Sequence, residues 1–145
     1  MIDIYFLFIY IYPPIHIAGL SEYGNERKKV DIELINNGNS PINIIDVHIN
    51  NKKVEDVKLV LSYTLQLALS GIDNDPYAKF VNIDEYKINP AYSRKQINQL
   101  KFPHTKPISY GLRINSEETI NHVKIVYKYK GLKLVKTFYW DRWLQ

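Results

Sequence analysis

Residues 29–50, KVDIELINNGNSPINIIDVHIN, constrain the fold more than any other part of this chain. At their start, the apolar residues Val30, Ile32 and Leu34 alternate with Asp31 and Glu33. Successive side chains of a β-strand point to opposite faces of the sheet, so this period of two predicts a strand with one apolar and one acidic face. A β-branched run over residues 42–49 predicts a second strand of the same kind.

A polar turn, residues 36–41 (NNGNSP), separates the two predicted strands. Asn and Gly tolerate positive φ, and Pro41 cannot donate a hydrogen bond within a sheet. Because these residues are more than a tight hairpin needs, we expect the chain to leave one sheet here and enter the facing sheet. In the second strand, the adjacent Ile44 and Ile45 break the alternation and predict a β-bulge.

The apolar alternation, the turn Asn36-x-Gly38-x-x-Pro41 and the β-branched run together resemble strands B and C of bacterial immunoglobulin-like sandwich domains. Such domains are common in exported and surface proteins. The resemblance therefore implies an antiparallel sandwich and an extracytoplasmic or membrane-associated protein, with the cytoplasm as the alternative. The antibody-type Cys…Trp…Cys pattern is missing, since the chain has no cysteine. The resemblance brings no catalytic residue and no cofactor.

Length and charge set further bounds on the fold and its partners. A chain of 145 residues fits one domain that buries a core without disulfides, and the lack of cysteine excludes zinc–thiolate sites and lipid-modified cysteine. Residues 1–100 carry 10 Lys/Arg and 12 Asp/Glu, whereas residues 101–145 carry 9 and 3. The basic C-terminal part fits either a solvated strand face or contact with an anionic surface, such as lipid headgroups or wall polymers.

The most apolar segment, residues 2–12 (IDIYFLFIYIY), ends at Pro13 and Pro14, which stop regular structure. Its β-branched and aromatic content fits a strand buried on both faces. A membrane span needs about 20 apolar residues, and a signal peptide needs a basic start that is missing before Arg27. We expect residues 1–14 to be a strand, or the remnant of an export anchor with membrane association through residues 2–12. Residues 15–145 are expected to form the sandwich.

Further strands are predicted at residues 15–20, 57–69, 79–88 and 108–115. In residues 57–69 the leucines and Tyr63 share one parity, which indicates a long strand with one buried face. Ser93 and Gln96 have the spacing of a capping box and predict a short helix over residues 94–100. The whole pattern predicts an all-β, immunoglobulin-like antiparallel sandwich of about seven to nine strands with that one short helix.

A C-terminal hairpin is predicted around the turn Lys130-Gly131. The pairs expected on its apolar side are Tyr129–Leu132, Tyr127–Leu134, Ile125–Lys136 and Val123–Phe138. On the other side Lys128 would lie opposite Lys133, a like-charge pair that is unfavourable unless an anionic group is near.

The candidate ligand-binding residues are the lysines of this hairpin and two tryptophans that follow it: Lys124, Lys128, Lys130, Lys133, Trp140 and Trp143. The lysines suit an anionic partner, and the tryptophans either close the core or stack on a sugar. Tyr127 and Tyr129 have the apolar parity, away from the lysines, which argues against nucleic acid. Asp73 and Asp75 resemble the start of a calcium loop that lacks its Gly and its bidentate Glu, so an Asx turn is the alternative.

Catalytic motifs such as a Ser elbow, a P-loop or His-Glu-x-x-His are absent from the sequence, and the four histidines have no paired metal spacing. We therefore expect a non-enzymatic, exported or envelope-associated interaction domain without a cofactor. Its partner would be a protein or an anionic envelope component. The alternatives are a module for carbohydrate or calcium, and an enzyme whose carboxylates only a structure can place in a cleft.

Overall fold

The computed structural model describes residues 4–64, 69–100 and 106–142. Within them the chain forms nine strands: β1 Ile15–Tyr23, β2 Lys29–Asn36, β3 Ile42–Ile49, β4 Lys52–Lys53, β5 Val57–Ser62, β6 Ala78–Val81, β7 Ser109–Asn115, β8 His122–Tyr129 and β9 Leu132–Tyr139. The first sheet has the order β1-β2-β7-β5-β6 and the second the order β4-β3-β8-β9. Neighbouring strands are antiparallel throughout, so the prediction of an all-β fold with two antiparallel sheets is confirmed.

The core lies between the two sheets and consists of one parity of side chains from each. The first sheet contributes Val30, Ile32, Leu34, Leu59, Leu61, Leu112 and Ile114, and the second contributes Ile42, Ile44, Val47, Ile49, Val123, Ile125 and Tyr127. Burying an aliphatic side chain of this size contributes about 1.5–3 kcal/mol. The alternation predicted for residues 29–36 is therefore a main source of the stability of the fold.

The chain changes sheets between β2 and β3, as predicted. Buried Asn36 holds this turn, because its Oδ1 accepts from the Gly38 N–H at 2.9 Å and its Nδ2 donates to the carbonyls of Ser40 and Ile88 at 2.8 and 3.0 Å. Gly38 is required where the turn passes the core, since a Cβ there would lie 2.5 Å from the Tyr129 Oη.

The predicted register of the β8–β9 hairpin is confirmed at every pair named above, including Lys128 opposite Lys133. Lys130 and Gly131 have φ values of 51° and 80°, as a type I′ turn requires. The predicted bulge in β3 is confirmed as well, because the register with β8 shifts between Ile44 and Asp46.

The expectation of a strand within residues 1–14 is wrong, because Ile4–Ile11 form helix α1. A short apolar run does not by itself distinguish a buried strand from a helix. Ile9 packs into the core, while other apolar side chains of α1 face outward. No helix in the described parts of the chain is long and apolar enough to cross a membrane. The export anchor stays a prediction.

The predicted strand over residues 57–69 is too long, because β5 ends at Ser62 and Leu69–Asn74 form a 3₁₀ helix. Residues 65–68 lie outside the described part. The expectation of one buried face is also wrong, since Val60 on the outer face packs with Ile72 and Ala78 in a second, small cluster. The 3₁₀ helix thus covers part of the outer face of the first sheet.

Two other expectations concern the stretch after β5. The predicted strand over residues 79–88 is shorter than expected: β6 ends at Val81, and Ile88 only forms an isolated bridge with Ile42. Helix α2, Arg94–Gln99, is confirmed together with both hydrogen bonds of its capping box. With α1, the described residues contain one α-helix more than predicted.

Candidate functional site

The outer face of the second sheet brings together three of the predicted lysines. Lys124 pairs across the strands with His48 of β3, and Lys128 pairs with Lys133 of β9. Paired residues of adjacent strands project from the same face, and the core-facing residues of β8 are those of the other parity. Lys124, Lys128 and Lys133 therefore share one surface, which we call the basic face.

Apolar side chains and one ion pair complete the basic face. Val126 is buried and pairs with Val135, which is 50% exposed. Lys53 lies at the edge opposite His48, and its Nζ is 3.4 Å from the Asp46 Oδ1. The three lysines named above form no ion pair with any residue that the structure describes. The face therefore carries uncompensated positive charge around an apolar centre.

The like-charge pair on this face bears on its function. Lys128 and Lys133 stand directly opposite each other, where Cβ atoms are about 4.5–5.5 Å apart. Like charges directly opposite each other on adjacent strands are destabilising. An anion bound between the two lysines adds two attractions that offset this repulsion.

The other candidate residues lie elsewhere. Lys130 is in the hairpin turn, with its Nζ 5.6 Å from the centre of the Tyr129 ring. Trp140 follows the far end of β9, about 25 Å from that turn at 3.3 Å per residue. Its half-buried ring packs against the core with the Arg27 guanidinium 5.6 Å above it. Trp143 lies outside the described residues. Trp140 lies at the same end of the hairpin as Lys124, which pairs with Thr137, but its ring packs against the core and not on the basic face.

Sequence reasoning missed a polar cluster on the outer face of the first sheet. Asp31 and Arg113 are cross-strand partners in β2 and β7. The Arg113 Nε and Nη2 donate to the two carboxylate oxygens of Asp31 at 2.8 and 2.9 Å, and the Tyr23 hydroxyl donates to the Asp31 Oδ2 at 2.5 Å. The Arg113 guanidinium lies between the rings of Tyr23 and Phe80, 5.3 and 4.7 Å from their centres. This cluster joins side chains of four strands, β1, β2, β6 and β7, and we assign it to stability.

The pKa values in this cluster follow from its geometry. Burial raises the pKa of the Tyr23 hydroxyl to about 12, and the hydrogen bond to the Asp31 carboxylate acts in the same direction. The hydrogen bond to Asp31 is the main cause that raises the pKa of Arg113, which stays charged. A hydrogen bond from Arg113 lowers the pKa of Asp73 below its usual range.

The geometry does not support the calcium candidate. The Asp73 carboxylate accepts a hydrogen bond from Arg113 and lies 3.9 Å from the Lys29 Nζ. The Asp75 Oδ1 accepts from the Tyr77 backbone N–H at 2.8 Å, which is the Asx-turn alternative. Within the described ranges, no three or more His, Cys, Asp or Glu side chains are grouped so that they could hold a metal ion.

A small cleft of about 190 Å³ lies beside α2. Burial raises the pKa of Glu33 in its wall and of the neighbouring Tyr110, whose hydroxyl accepts from the Asn89 Nδ2 at 3.3 Å. Among the described residues that line this cleft, Glu33 is the sole carboxylate, so it has no partner for paired acid–base chemistry.

A larger groove of about 720 Å³ runs between α1 and the sandwich, lined mostly by apolar side chains with Lys136 in its wall. The basic face is the surface where the predicted residues and an electrostatic reason for binding coincide.

In comparisons with known proteins, the chain matches no protein-family model, no curated protein and no solved structure.

Proposed function

We propose that this protein is a non-enzymatic interaction domain whose basic face binds an anionic partner at the cell envelope. The observation that carries the proposal is the set of three lysines, Lys124, Lys128 and Lys133, on one sheet face without a carboxylate partner in the described chain. Val135 at the centre of the face adds exposed apolar contact area.

We also infer that the sandwich is immunoglobulin-like. If β1, β2, β3, β4, β5, β7, β8 and β9 are named A, B, C, C′, D, E, F and G, the sheets have the orders A-B-E-D and C′-C-F-G. This is the strand order of immunoglobulin-type sandwiches, with β6 as an addition beside strand D. The strand order supports the kinship suggested by residues 29–50 and, with it, the exported or envelope-associated setting.

The spacing of the lysines favours a polymer with repeating negative charge. Lys128 and Lys133 are directly opposed, and Lys124 lies four residues along β8, about 13 Å away at 3.3 Å per residue. A single small anion reaches only the close pair. A flexible phosphodiester or carboxylate polymer reaches all three lysines.

Binding of the full chain to immobilised poly(glycerol phosphate) tests the proposal. The variant Lys124→Gln/Lys128→Gln/Lys133→Gln should bind roughly tenfold more weakly, because three exposed charge contacts of about 0.5 kcal/mol each sum to about 1.5 kcal/mol. The control Lys28→Gln/Lys58→Gln/Lys79→Gln removes the same charge from outside the basic face and should bind like the unaltered chain. An equal loss in the two variants would attribute binding to net charge and contradict the proposal.

The compartment needs its own test. Fractionation of the native cells should place the protein with the envelope or outside the cell. Recovery in the soluble cytoplasmic fraction alone would contradict the envelope setting, whatever the result of the polymer experiment.

A further inference from the structure

Helix α1 lies at one end of the sandwich, which we call the α1 end. The Pro14 carbonyl accepts from the Asn37 backbone N–H at 2.7 Å, which fixes the base of the helix to the β2–β3 turn. Tyr129, next to the β8–β9 turn, lines the groove beside α1. The helix therefore stands where these two turns meet.

The exposed side of α1 is apolar. Ile4, Leu7, Phe8 and Ile11 have the spacing i, i+3, i+4, i+7 of a single helix face, and each is between 52% and 83% exposed. Ile9, on the other side, packs into the core. A surface helix of a globular protein normally has the reverse arrangement. A contiguous exposed apolar stripe marks an interaction site.

The α1 end is also basic. Ile88 bridges to Ile42 at the start of β3, and the Ala91 N–H donates to the Asn36 carbonyl at 2.9 Å, so the segment that leads into α2 lies at this end. The exposed cations here are Lys87, Arg94, Lys95, Lys106 and Lys130. The described segments 12–20, 36–44, 86–100, 106–110 and 129–132 contain no Asp or Glu.

The opposite end differs in charge. Its connections, residues 24–28, 50–56, 116–121 and 140–142, are nearly balanced in charge. They contain six carboxylates (Glu26, Glu55, Asp56, Glu117, Glu118 and Asp141) and five cations (Arg27, Lys28, Lys52, Lys53 and Arg142). The β5–β6 connection also leaves the α1 end, but its 3₁₀ helix runs across the outer face of the first sheet. Asp73 there contacts Arg113 and lies 3.9 Å from the Lys29 Nζ, at the start of β2 and away from the α1 end. The α1 end, with its cations and carboxylate-poor segments, is therefore the more positive end of the sandwich.

We propose that α1 and the cations around it form a contact surface for an anionic lipid bilayer. The apolar stripe enters the boundary between headgroups and acyl chains, and the cations meet the headgroup phosphates. Tyr12, whose ring centre is 5.2 Å from that of Phe8, has the amphipathic aromatic character typical of that boundary. This surface is distinct from the basic face, which stays free along the side of the sandwich.

The combination of the two features selects the bilayer over other partners. A soluble polyanion offers no apolar phase to the stripe. A second copy of the chain in a two-fold contact would bring two basic, carboxylate-poor ends together, which repel each other. A bilayer with anionic lipid offers both an apolar phase to the stripe and negative charge to the cations.

Vesicle co-flotation of the full chain tests this proposal, with phosphatidylcholine vesicles that contain 30% phosphatidylglycerol or none. We expect binding to the anionic vesicles and much weaker binding to the neutral ones. The variant Arg94→Gln/Lys95→Gln/Lys130→Gln should partition roughly 100-fold less into anionic vesicles, at roughly fivefold per cation. The control Lys28→Gln/Lys52→Gln/Lys58→Gln, with the same charge change away from the α1 end, should partition like the unaltered chain.

A second variant, Leu7→Ser/Ile11→Ser, changes exposed positions and leaves the core intact. It should reduce partition into both kinds of vesicle by roughly tenfold or more, since buried apolar area contributes to interfacial binding. The proposal is overturned if the unaltered chain does not float with anionic vesicles, or if the basic variant floats as well as its control. It is also overturned if the serine variant changes a dimer to a monomer in light scattering while partition is unaffected. Polymer binding through Lys124, Lys128 and Lys133 should be retained in these variants, so the two proposals fail separately.

Discussion

Replacement of Arg113 by Met tests the buried ion pair of the first sheet most directly. The side-chain exposures are 1% for Asp31 and 9% for Arg113, and the substitution keeps much of the volume while it removes the charge. Asp31 then loses both guanidinium hydrogen bonds and keeps only the Tyr23 hydroxyl as a side-chain partner among the described contacts. A charge that stays buried without its counter-ion is the most expensive outcome for such a pair.

The expected loss follows from this geometry. Removal of one partner from a buried ion pair costs about 3–5 kcal/mol, which for a domain of this size lowers the Tm by roughly 10 °C. The double variant Asp31→Leu/Arg113→Met leaves no buried charge and should cost only about 1–2 kcal/mol, mainly the acceptor lost by Tyr23. The two residues should therefore show strong coupling in a double-mutant cycle.

The free energy of unfolding of all four proteins of the cycle is measured by equilibrium unfolding in urea at pH 7. Equal m-values check that each protein unfolds in a two-state manner. Lys29→Met is the matched control, because its 3.9 Å pair with Asp73 is about half exposed on both sides and should contribute less than about 1 kcal/mol. A cost below about 1 kcal/mol for Arg113→Met, or a double variant that equals the sum of the singles, would refute the reasoning.

Three further outcomes are expected. Among the described residues the buried Tyr127 hydroxyl has no hydrogen-bond partner, so Tyr127→Phe should leave the free energy of unfolding unchanged or raise it by about 1 kcal/mol. The Tyr129 hydroxyl is hydrogen-bonded to Asn39, so Tyr129→Phe should lower the free energy of unfolding by about 1 kcal/mol. Burial raises the pKa of Tyr127 from 10.0 to about 12, so the stability linked to its neutral form is complete below pH 10 and is lost as the pH rises to 12. Urea titrations across this window should therefore show a shallower fall for Tyr127→Phe, and identical slopes would contradict the shift. Gly38→Ala should lose about 1–3 kcal/mol in the same assay, because its Cβ would lie 2.5 Å from the Tyr129 Oη, and full stability would mean that the turn moves freely.

The parts of the fold that sequence analysis predicted correctly are those that local chemistry decides. Strand β2 has strict alternation over Val30, Ile32 and Leu34, and the β8–β9 register follows from a type I′ turn at Lys130-Gly131 and a period of two. The same parity argument placed three lysines together on the basic face. These features need no knowledge of distant residues.

The parts that it missed depend on tertiary context. Residues 4–11 are apolar on every side, so their sequence has no hydrophobic period that would distinguish a helix from a strand. In the structure they form a helix, and its Ile9 packs against the sandwich. Sequence analysis places Asp31 on the acidic face of β2 but does not predict its ion pair, because its partner Arg113 stands 82 residues away and meets it only through the β2–β7 register. Trp140 follows the same hairpin as the lysines, yet its ring packs against the core and not on the basic face.

The pairing of strands far apart in the chain also bears on how the protein is made. Strand β2 lies between β1 and β7, and β3 joins β8, so residues 37–108 separate β2 from its second neighbour. Assembly from such distant partners is slow, because long loops must close before the contacts form. On the ribosome, the first sheet stays incomplete until β7 has emerged. The inner, apolar faces of β2 and β3 remain exposed to solvent until then. Until the later strands are made, the early strands present apolar faces and unpaired edges of the kind that favour aggregation, and the late β8–β9 hairpin provides the surface on which β3 finally docks.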